Sequence, residues 1–325
     1  MGEVSIGSRR ESTPECPAAV DDAKVGYAHA AQRRADSERS RRKDAALPKT
    51  WFITGTSSGF GRAMTERLLA RGDRVAATLR QANALDDLRD QHGARLWTAT
   101  LDVTDADAVR QTVARAFDDL GRIDVVVNNA GYGLFGAAEE VSDEQIWHQL
   151  DTNLVGSIQV IRAALPFLRN QGGGRILQVA SEGGQIAYPN FGLYHASKWG
   201  VEGFVEAVSQ EVAPFGIEFT IVEPGPTRTD FGRGLVSPAP MAVYDDTPVG
   251  EMRRVFASGD LRALGVFGDP VKMAQAMVDS ADRNPAPKRL ALGSRAYTSI
   301  RAALIERLSA LDAQKEIAFS TDATD

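Results

Sequence analysis

From Lys49 onward the chain alternates short, β-rich apolar runs with segments of helical length, and this rhythm constrains the fold more than any other feature. The runs fall at 51–54, 74–79, 96–101, 123–127, 175–180 and 217–222, and helix-like segments at 62–71, 105–120, 143–168 and 193–212 lie between them. Strands separated by helices of this length join as parallel neighbours through right-handed crossovers. Unbroken apolar runs such as Val125-Val126-Val127 fit strands covered on both faces. The pattern predicts a single α/β domain over 49–325: a Rossmann-like, doubly wound parallel sheet with helices on both faces. Residues 223–265 interrupt the rhythm with Pro224, Pro226, Pro238, Pro240 and Pro248. A helix near 271–281, an apolar strand at 289–292 and a last helix near 299–311 resume it.

Residues 1–48 read differently, with nine Lys/Arg against eight acids and hardly any aliphatic periodicity. Such a segment buries too little apolar surface to offset its ordering entropy, so a disordered or frayed-helical extension is expected. The whole chain, with 37 Lys+Arg and 43 Asp+Glu, carries a net charge of −6, which gives no electrostatic reason to expect nucleic acid. The single cysteine, Cys16, excludes an internal disulfide and argues against a Cys-based zinc site; no metal is expected. No apolar run approaches the roughly 18 residues of a membrane span, and the N-terminus has no secretory pattern. The expectation is a cytoplasmic protein without a membrane or nucleic-acid partner.

The first strand runs into Thr54-Gly55-Thr56-Ser57-Ser58-Gly59-Phe60-Gly61, followed by a helical pattern. Glycines there let the backbone turn tightly and approach a pyrophosphate at the positive end of the next helix. The spacing is Gly-x-x-x-Gly-x-Gly, and its place between the first strand and first helix points to nucleotide binding.

Tyr194-His195-Ala196-Ser197-Lys198 sets a tyrosine and a lysine at i and i+4, on one helix face. A free tyrosine has a pKa near 10, and lowering it by about three units takes roughly 4 kcal/mol of phenolate stabilisation. An ammonium about 4 Å away at an effective dielectric near 20 supplies energy of that order. Ser181 ends the apolar run 176–180, where α/β folds present ligand-binding residues. Asn153 sits inside the long helical segment 143–168, among residues that lower helix propensity, which points to a local kink or a polar role.

Together these residues resemble the short-chain dehydrogenase/reductase family over about residues 49–292. The motifs are Thr54-Gly55-x-x-x-Gly59-x-Gly61, Asp102 after the third strand, Asn128-Asn129-Ala130-Gly131, Asn153, Ser181, Tyr194-x-x-x-Lys198 and Pro224-Gly225-x-x-x-Thr229. The resemblance implies Tyr194 as general acid/base and Ser181 as hydrogen-bond partner of the substrate oxygen. It implies that Lys198 binds the nicotinamide ribose while lowering the Tyr194 pKa, and that Asn153 holds a relay water. Gly55 through Gly61 would take the pyrophosphate, and Asp102 and Val103 the adenine. Asn128, Ala130 and Gly131 would line the cofactor's path; Pro224, Gly225, Thr227 and Thr229 would meet its nicotinamide end. Glu182 stands where the family often has a second Ser. The resemblance further implies a substrate lid at about 226–265, and a homodimer or homotetramer packed through helices at about 143–169 and 191–213.

The strand 74–79 ends Ala77-Thr78-Leu79-Arg80, without the acid that normally grips the ribose hydroxyls of NAD. An Arg80 there can pair with a 2′-phosphate, so NADP(H) is expected over NAD(H), unless Arg80 stacks on adenine or faces solvent. Expected pocket walls are 133–135, 188–191 and 231–244, with Leu235, Val236 and Met241, and their apolar character points to a hydrophobic ketone or secondary alcohol. The leading expectation is a carbonyl reductase or alcohol dehydrogenase. Imine or C=C reduction, and a non-catalytic NADP-sensing regulator, remain open alternatives on the same fold.

Overall fold

Seven strands form one parallel sheet in the order β3-β2-β1-β4-β5-β6-β7. They are β1 (Thr50–Thr54), β2 (Arg74–Leu79), β3 (Leu96–Thr100), β4 (Val125–Asn128), β5 (Gly174–Val179), β6 (Ile217–Pro224) and β7 (Arg289–Leu292). The computed structural model describes residues 2 and 48–323 except 230, 233, 260–264 and 266. The extension expected to be disordered thus lies outside the described residues apart from Gly2 and Pro48, as do several positions of the expected lid.

Each strand alternates its side chains between two apolar layers, as the two-residue period requires. Trp51 and Ile53 of β1 join one core with Met64, Leu68 and Leu69 of helix α1 (Gly59–Arg71). Leu88 of α2 (Asp86–His92) and Met273, Met277 and Val278 of α8 (Pro270–Ser280) complete that layer. Phe52 of the same strand joins the opposite core with Val109, Val113 and Phe117 of α3 (Ala106–Leu120). Val160, Ile161 and Leu168 of α5 (Gly156–Asn170) and Val205 and Val208 of α6 (Gly192–Val212) belong to it as well. Local signals start these helices where the sheet needs them. The Asp105 carboxylate accepts from the amides of Asp107 and Ala108 at 3.0 and 2.9 Å, a cap worth about 1 kcal/mol. Ser142 and Gln145 form a capping box at α4 (Asp143–Leu150).

The expected helix 143–168 is two helices, α4 and α5, joined by a π-helical turn at Asp151–Val155. The irregularity expected around Asn153 is this turn. Besides a short helix at the C-terminus, two helices were not foreseen: α2, and α7 (Pro248–Ser258) inside the proline-rich interruption. The last long helix, α9, runs Ser294–Asp312 and starts earlier than expected; a short α10 (Lys315–Ser320) follows. No helix among the described residues is long and apolar enough to cross a membrane.

Because β1 lies between β2 and β4, the loops after β1 and β4 diverge to opposite faces of the sheet. The crevice that opens at the carboxyl ends of such strands is where this architecture binds ligands.

Candidate active site

The turn after β1 is stitched to its neighbours by backbone bonds. The amides of Gly55 and Thr56 donate to the Thr78 carbonyl at 2.9 and 3.1 Å. The Thr54 hydroxyl accepts from the amides of Asn129 and Ala130 at 2.9 and 3.0 Å, and Asn129 Nδ2 donates back to the Thr54 and Gly55 carbonyls at 2.9 and 3.0 Å. In α1 the first intrahelical bond runs from Arg62 N to Ser58 O, so the amides of Gly59, Phe60 and Gly61 have no partner within the helix. Ser58 makes no side-chain cap, and the first turn carries no acidic residue. Gly59 has φ +56 and no atom within 4 Å of where a Cβ would stand. A helix N-terminus with free amides, no competing carboxylate and open space beside it fits a dinucleotide pyrophosphate.

These groups open into one cleft of about 1230 Å³, larger than the roughly 300–1,000 Å³ of a pocket for one small ligand. Gly55, Ser57, Ser58, Gly59, Phe60, Arg80, Asp102, Val103, Ala130 and Gly131 line it, as do Ser181, Tyr194, Lys198, Pro224, Gly225, Thr227 and Thr229. Four predicted residues do not. Thr56 and Gly61 are buried within the turn, where the Thr56 hydroxyl donates to the Thr78 carbonyl at 3.1 Å. Asn128 turns away from the cleft, its amide donating to Ser157 O at 2.8 Å and Gln178 Oε1 at 2.9 Å. Asn153 is buried behind the cleft wall: its Oδ1 accepts from the Tyr132 amide at 3.0 Å and its Nδ2 donates to the Tyr132 carbonyl at 2.8 Å.

Leu79 is buried and Arg80 exposed at the end of β2, so no acid stands there. Asp102 accepts from the amide and hydroxyl of Thr104 at 3.0 and 2.8 Å, bonds that hold its carboxyl below the usual range and keep it ionised.

On the opposite side of the crevice, Ser181 follows β5 and Tyr194 lies in the first turn of α6. The Ser181 hydroxyl accepts from the Gly183 amide at 3.0 Å and lines the same cleft as the Tyr194 phenol. Lys198 Nζ donates to the Val179 carbonyl at 3.0 Å and sits 5.7 Å from the centre of the Tyr194 ring. The sequence predicted that Lys198 pulls the phenol down, whereas burial dominates both groups. It pushes Tyr194 up to about 12, the Ser181 hydroxyl opposing, and it brings Lys198 down to about 8, Glu202 opposing.

Phe191, Phe231, Leu235, Met252 and Phe256 give the same end of the cleft apolar walls. Of the expected walls, Leu134 and Phe135 are buried behind them, and Val236 and Met241 are largely exposed. Val236 instead pins the segment by exchanging backbone bonds with Gly133 and Phe135. Met252 and Phe256 come from α7, which the prolines concealed.

Sequence reasoning also missed the ionic network behind Lys198. Arg289 Nη1 donates to the buried carboxylates of Glu202 and Glu223, and Nη2 to Glu206. The only local signal was Glu202 at i+4 from Lys198; Glu223 and Arg289 are distant in sequence.

The family model for short chain dehydrogenases matches residues 49–239. The oxidoreductase BOA17 of Botryotinia fuckeliana is 39% identical over 249 residues, covering 76% of this chain and 89% of that protein. A short-chain dehydrogenase from Streptomyces avermitilis, a solved structure, superposes with a TM-score of 0.78 at 36% identity, covering 85% of this chain and 99% of its own. An alcohol dehydrogenase from the archaeon Thermococcus sibiricus, solved with 5-hydroxy-NADP, gives 0.62 at 25% identity over 76% of this chain and 96% of that one.

Proposed function

The chain belongs to the short-chain dehydrogenase/reductase family of oxidoreductases, and we propose that it interconverts a hydrophobic ketone and its secondary alcohol with NADP(H), reduction being the favoured direction. The observation that carries this reading is the convergence of Ser181, Tyr194 and Lys198 on the same cleft as the free amides of α1.

NADP(H), when bound, supplies the hydride for the carbonyl carbon or accepts it in the reverse reaction. Ser57, Ser58, Gly59 and Phe60 would hold its pyrophosphate, Asp102 and Val103 its adenine, and Thr227 and Thr229 its nicotinamide end. Arg80 would pair with the 2′-phosphate, and the absence of an acid at the end of β2 supports NADP over NAD. The neighbour solved with 5-hydroxy-NADP supports the same choice.

The protein's share of the chemistry is proton handling. Ser181 donates a hydrogen bond to the substrate oxygen, and Tyr194 transfers its phenolic proton to that oxygen as the C–H bond forms. The phenolate left behind stands beside the Lys198 ammonium and regains a proton from solvent. Asn153 fixes the loop at Tyr132 that forms the wall opposite α6. The aromatic and aliphatic walls exclude water and favour a hydrophobic substrate.

Tyr194→Phe tests the reading. Loss of turnover by at least about a hundredfold across a panel of hydrophobic ketones, with NADPH affinity retained, is the expected result. Undiminished turnover would overturn it.

A further inference from the structure

Helix α6 meets the turn that carries Ser181 at two points, and both require glycine. A Cβ on Gly183 would stand 2.6 Å from His195 Nδ1, and one on Gly184 would fall on the Glu202 carboxylate. His195, the neighbour of Tyr194, is 4% exposed and engages both ring nitrogens. Its Nε2 accepts from the Tyr188 amide at 3.2 Å, so a neutral ring carries its proton on Nδ1, which donates to the Gly183 carbonyl at 2.9 Å. Gly183 in turn donates its amide to the Ser181 hydroxyl. A continuous chain therefore runs from Tyr194 along the backbone to His195, across to Gly183 and on to Ser181, which lines the same cleft as Tyr194.

We propose that His195 is a positioning residue for the reaction: its neutral imidazole locks the Ser181 turn to α6 and so fixes the Ser181 hydroxyl against the Tyr194 phenol. This rests on the reading of Ser181 and Tyr194 as the proton-handling pair. Tyr188 and Gly183 enclose the ring, Tyr188 edge-on at 4.5 Å and Tyr194 at 6.0 Å between centroids. Glu182 lies on the turn of Gly183, and Arg295 of α9 lies 3.9 Å from it. On α6 itself the charged neighbours are Lys198 and Glu202.

Only the neutral ring makes both of the His195 links. A second proton would put a donor on Nε2 facing the Tyr188 amide, itself a donor, and that contact would turn from attraction to repulsion. Burial holds the imidazole below its ordinary range, so the lock is closed at neutral pH and opens only in acid.

The test measures kcat and KM of the full chain against pH, using NADPH and the ketone it turns over best, for wild type, His195→Gln, His195→Phe and Glu182→Gln. NADPH binding is measured separately by fluorescence. His195→Phe is expected to lower kcat about tenfold with little change in NADPH affinity. His195→Gln, whose amide can donate to Gly183 and accept from Tyr188, should recover most of that loss and lack the acid limb expected of wild type below the ordinary imidazole range. Wild-type kcat in His195→Phe, or an unchanged acid limb in His195→Gln, would overturn the proposal. An acid limb that disappears with Glu182→Gln would assign the titration to the carboxyl and overturn it too. If His195→Phe does not fold, the His195→Gln profile alone decides. Retained turnover in Tyr194→Phe is a separate result that sinks the underlying functional reading instead.

Discussion

Two Gly→Ala substitutions in helices of this protein should shift stability in opposite directions, and the sign follows from what each new methyl would meet. Alanine is favoured over glycine in a helix interior by about 1 kcal/mol, so both changes gain the same backbone term. Gly203, on the exposed face of α6, has no atom within 4 Å of its Cβ position, and Gly203→Ala should be stabilising by nearly that amount. Gly61, in the first turn of α1, is buried against the β1 turn. A Cβ there would fall on the Gly55 carbonyl oxygen, 2.9 Å from its carbon and 2.8 Å from Asn129 Nδ2. Neither neighbour is free to yield: the Gly55 amide is bonded to Thr78 O, and Asn129 Nδ2 is shared between the Thr54 and Gly55 carbonyls. Overpacking of a fixed backbone costs about 1–3 kcal/mol, and each displaced hydrogen bond about 1 more. The steric term outweighs the propensity gain, leaving Gly61→Ala destabilised by roughly 1–3 kcal/mol. At about 2–4 °C per kcal/mol, thermal melts should show Gly61→Ala several degrees below wild type and Gly203→Ala about 2 °C above it. NADPH affinity should fall in Gly61→Ala alone, since the strained turn is the one that would cradle the pyrophosphate. A Gly61→Ala protein as stable as Gly203→Ala would refute the reasoning, because the two would then differ in nothing that matters.

Arg80→Ala should reduce kcat/KM with NADPH about ten- to a hundredfold and leave the value with NADH nearly unchanged, as removal of a charge-assisted hydrogen bond to phosphate predicts; equal losses with both cofactors would show that Arg80 does not discriminate. Burial and the nearby Glu202 hold the Glu223 carboxyl above its ordinary range, so between the ordinary and raised values the folded chain keeps a proton that the unfolded chain has lost. That contribution to stability disappears as pH rises through the raised value. The stability of Glu223→Gln relative to wild type, from urea melts at about pH 5 and pH 8, should therefore move in the variant's favour at the higher pH, and a constant difference would argue against a titrating Glu223.

The parts of this molecule legible in the sequence are those whose cause is local. Val125-Val126-Val127 betrayed a strand covered on both faces, and the glycines at 55, 59 and 61 marked the loop because a backbone approach needs them within a few residues of each other. The Tyr194–Lys198 spacing is likewise a property of one helix. Direction and distance were harder. The Asn128-Asn129 pair reads as one motif, yet Asn128 turns into the sheet to meet Gln178 while Asn129 buckles the β1 turn. Pro248 reads as a helix breaker, but it occupies the first turn of α7, where its missing amide has no intrahelical duty, and Thr247 caps the same end. Met252 and Phe256 were lost with that helix. Of the Glu202–Arg289–Glu223 network only Glu202, at i+4 from Lys198, had a local signal; Glu223 of β6 and Arg289 of β7 meet it only after the sheet forms.

That network bears on the direction of the proposed chemistry. Burial acts on the two reacting-site groups in opposite senses, up for the Tyr194 phenol and down for the Lys198 ammonium. A phenol held above its ordinary range keeps its proton at neutral pH. The resting protein therefore offers a donor to the substrate oxygen, which is what reduction of a carbonyl requires; oxidation of an alcohol would first need that proton removed. Lys198 at about 8 is still mostly charged, with Glu202 opposing the burial that would neutralise it. When Tyr194 gives up its proton, a phenolate forms next to an ammonium already held in place by the Val179 carbonyl. Each charge then relieves the desolvation of the other, so the stabilisation arises only as the proton leaves, and it assists transfer rather than lowering the phenol beforehand.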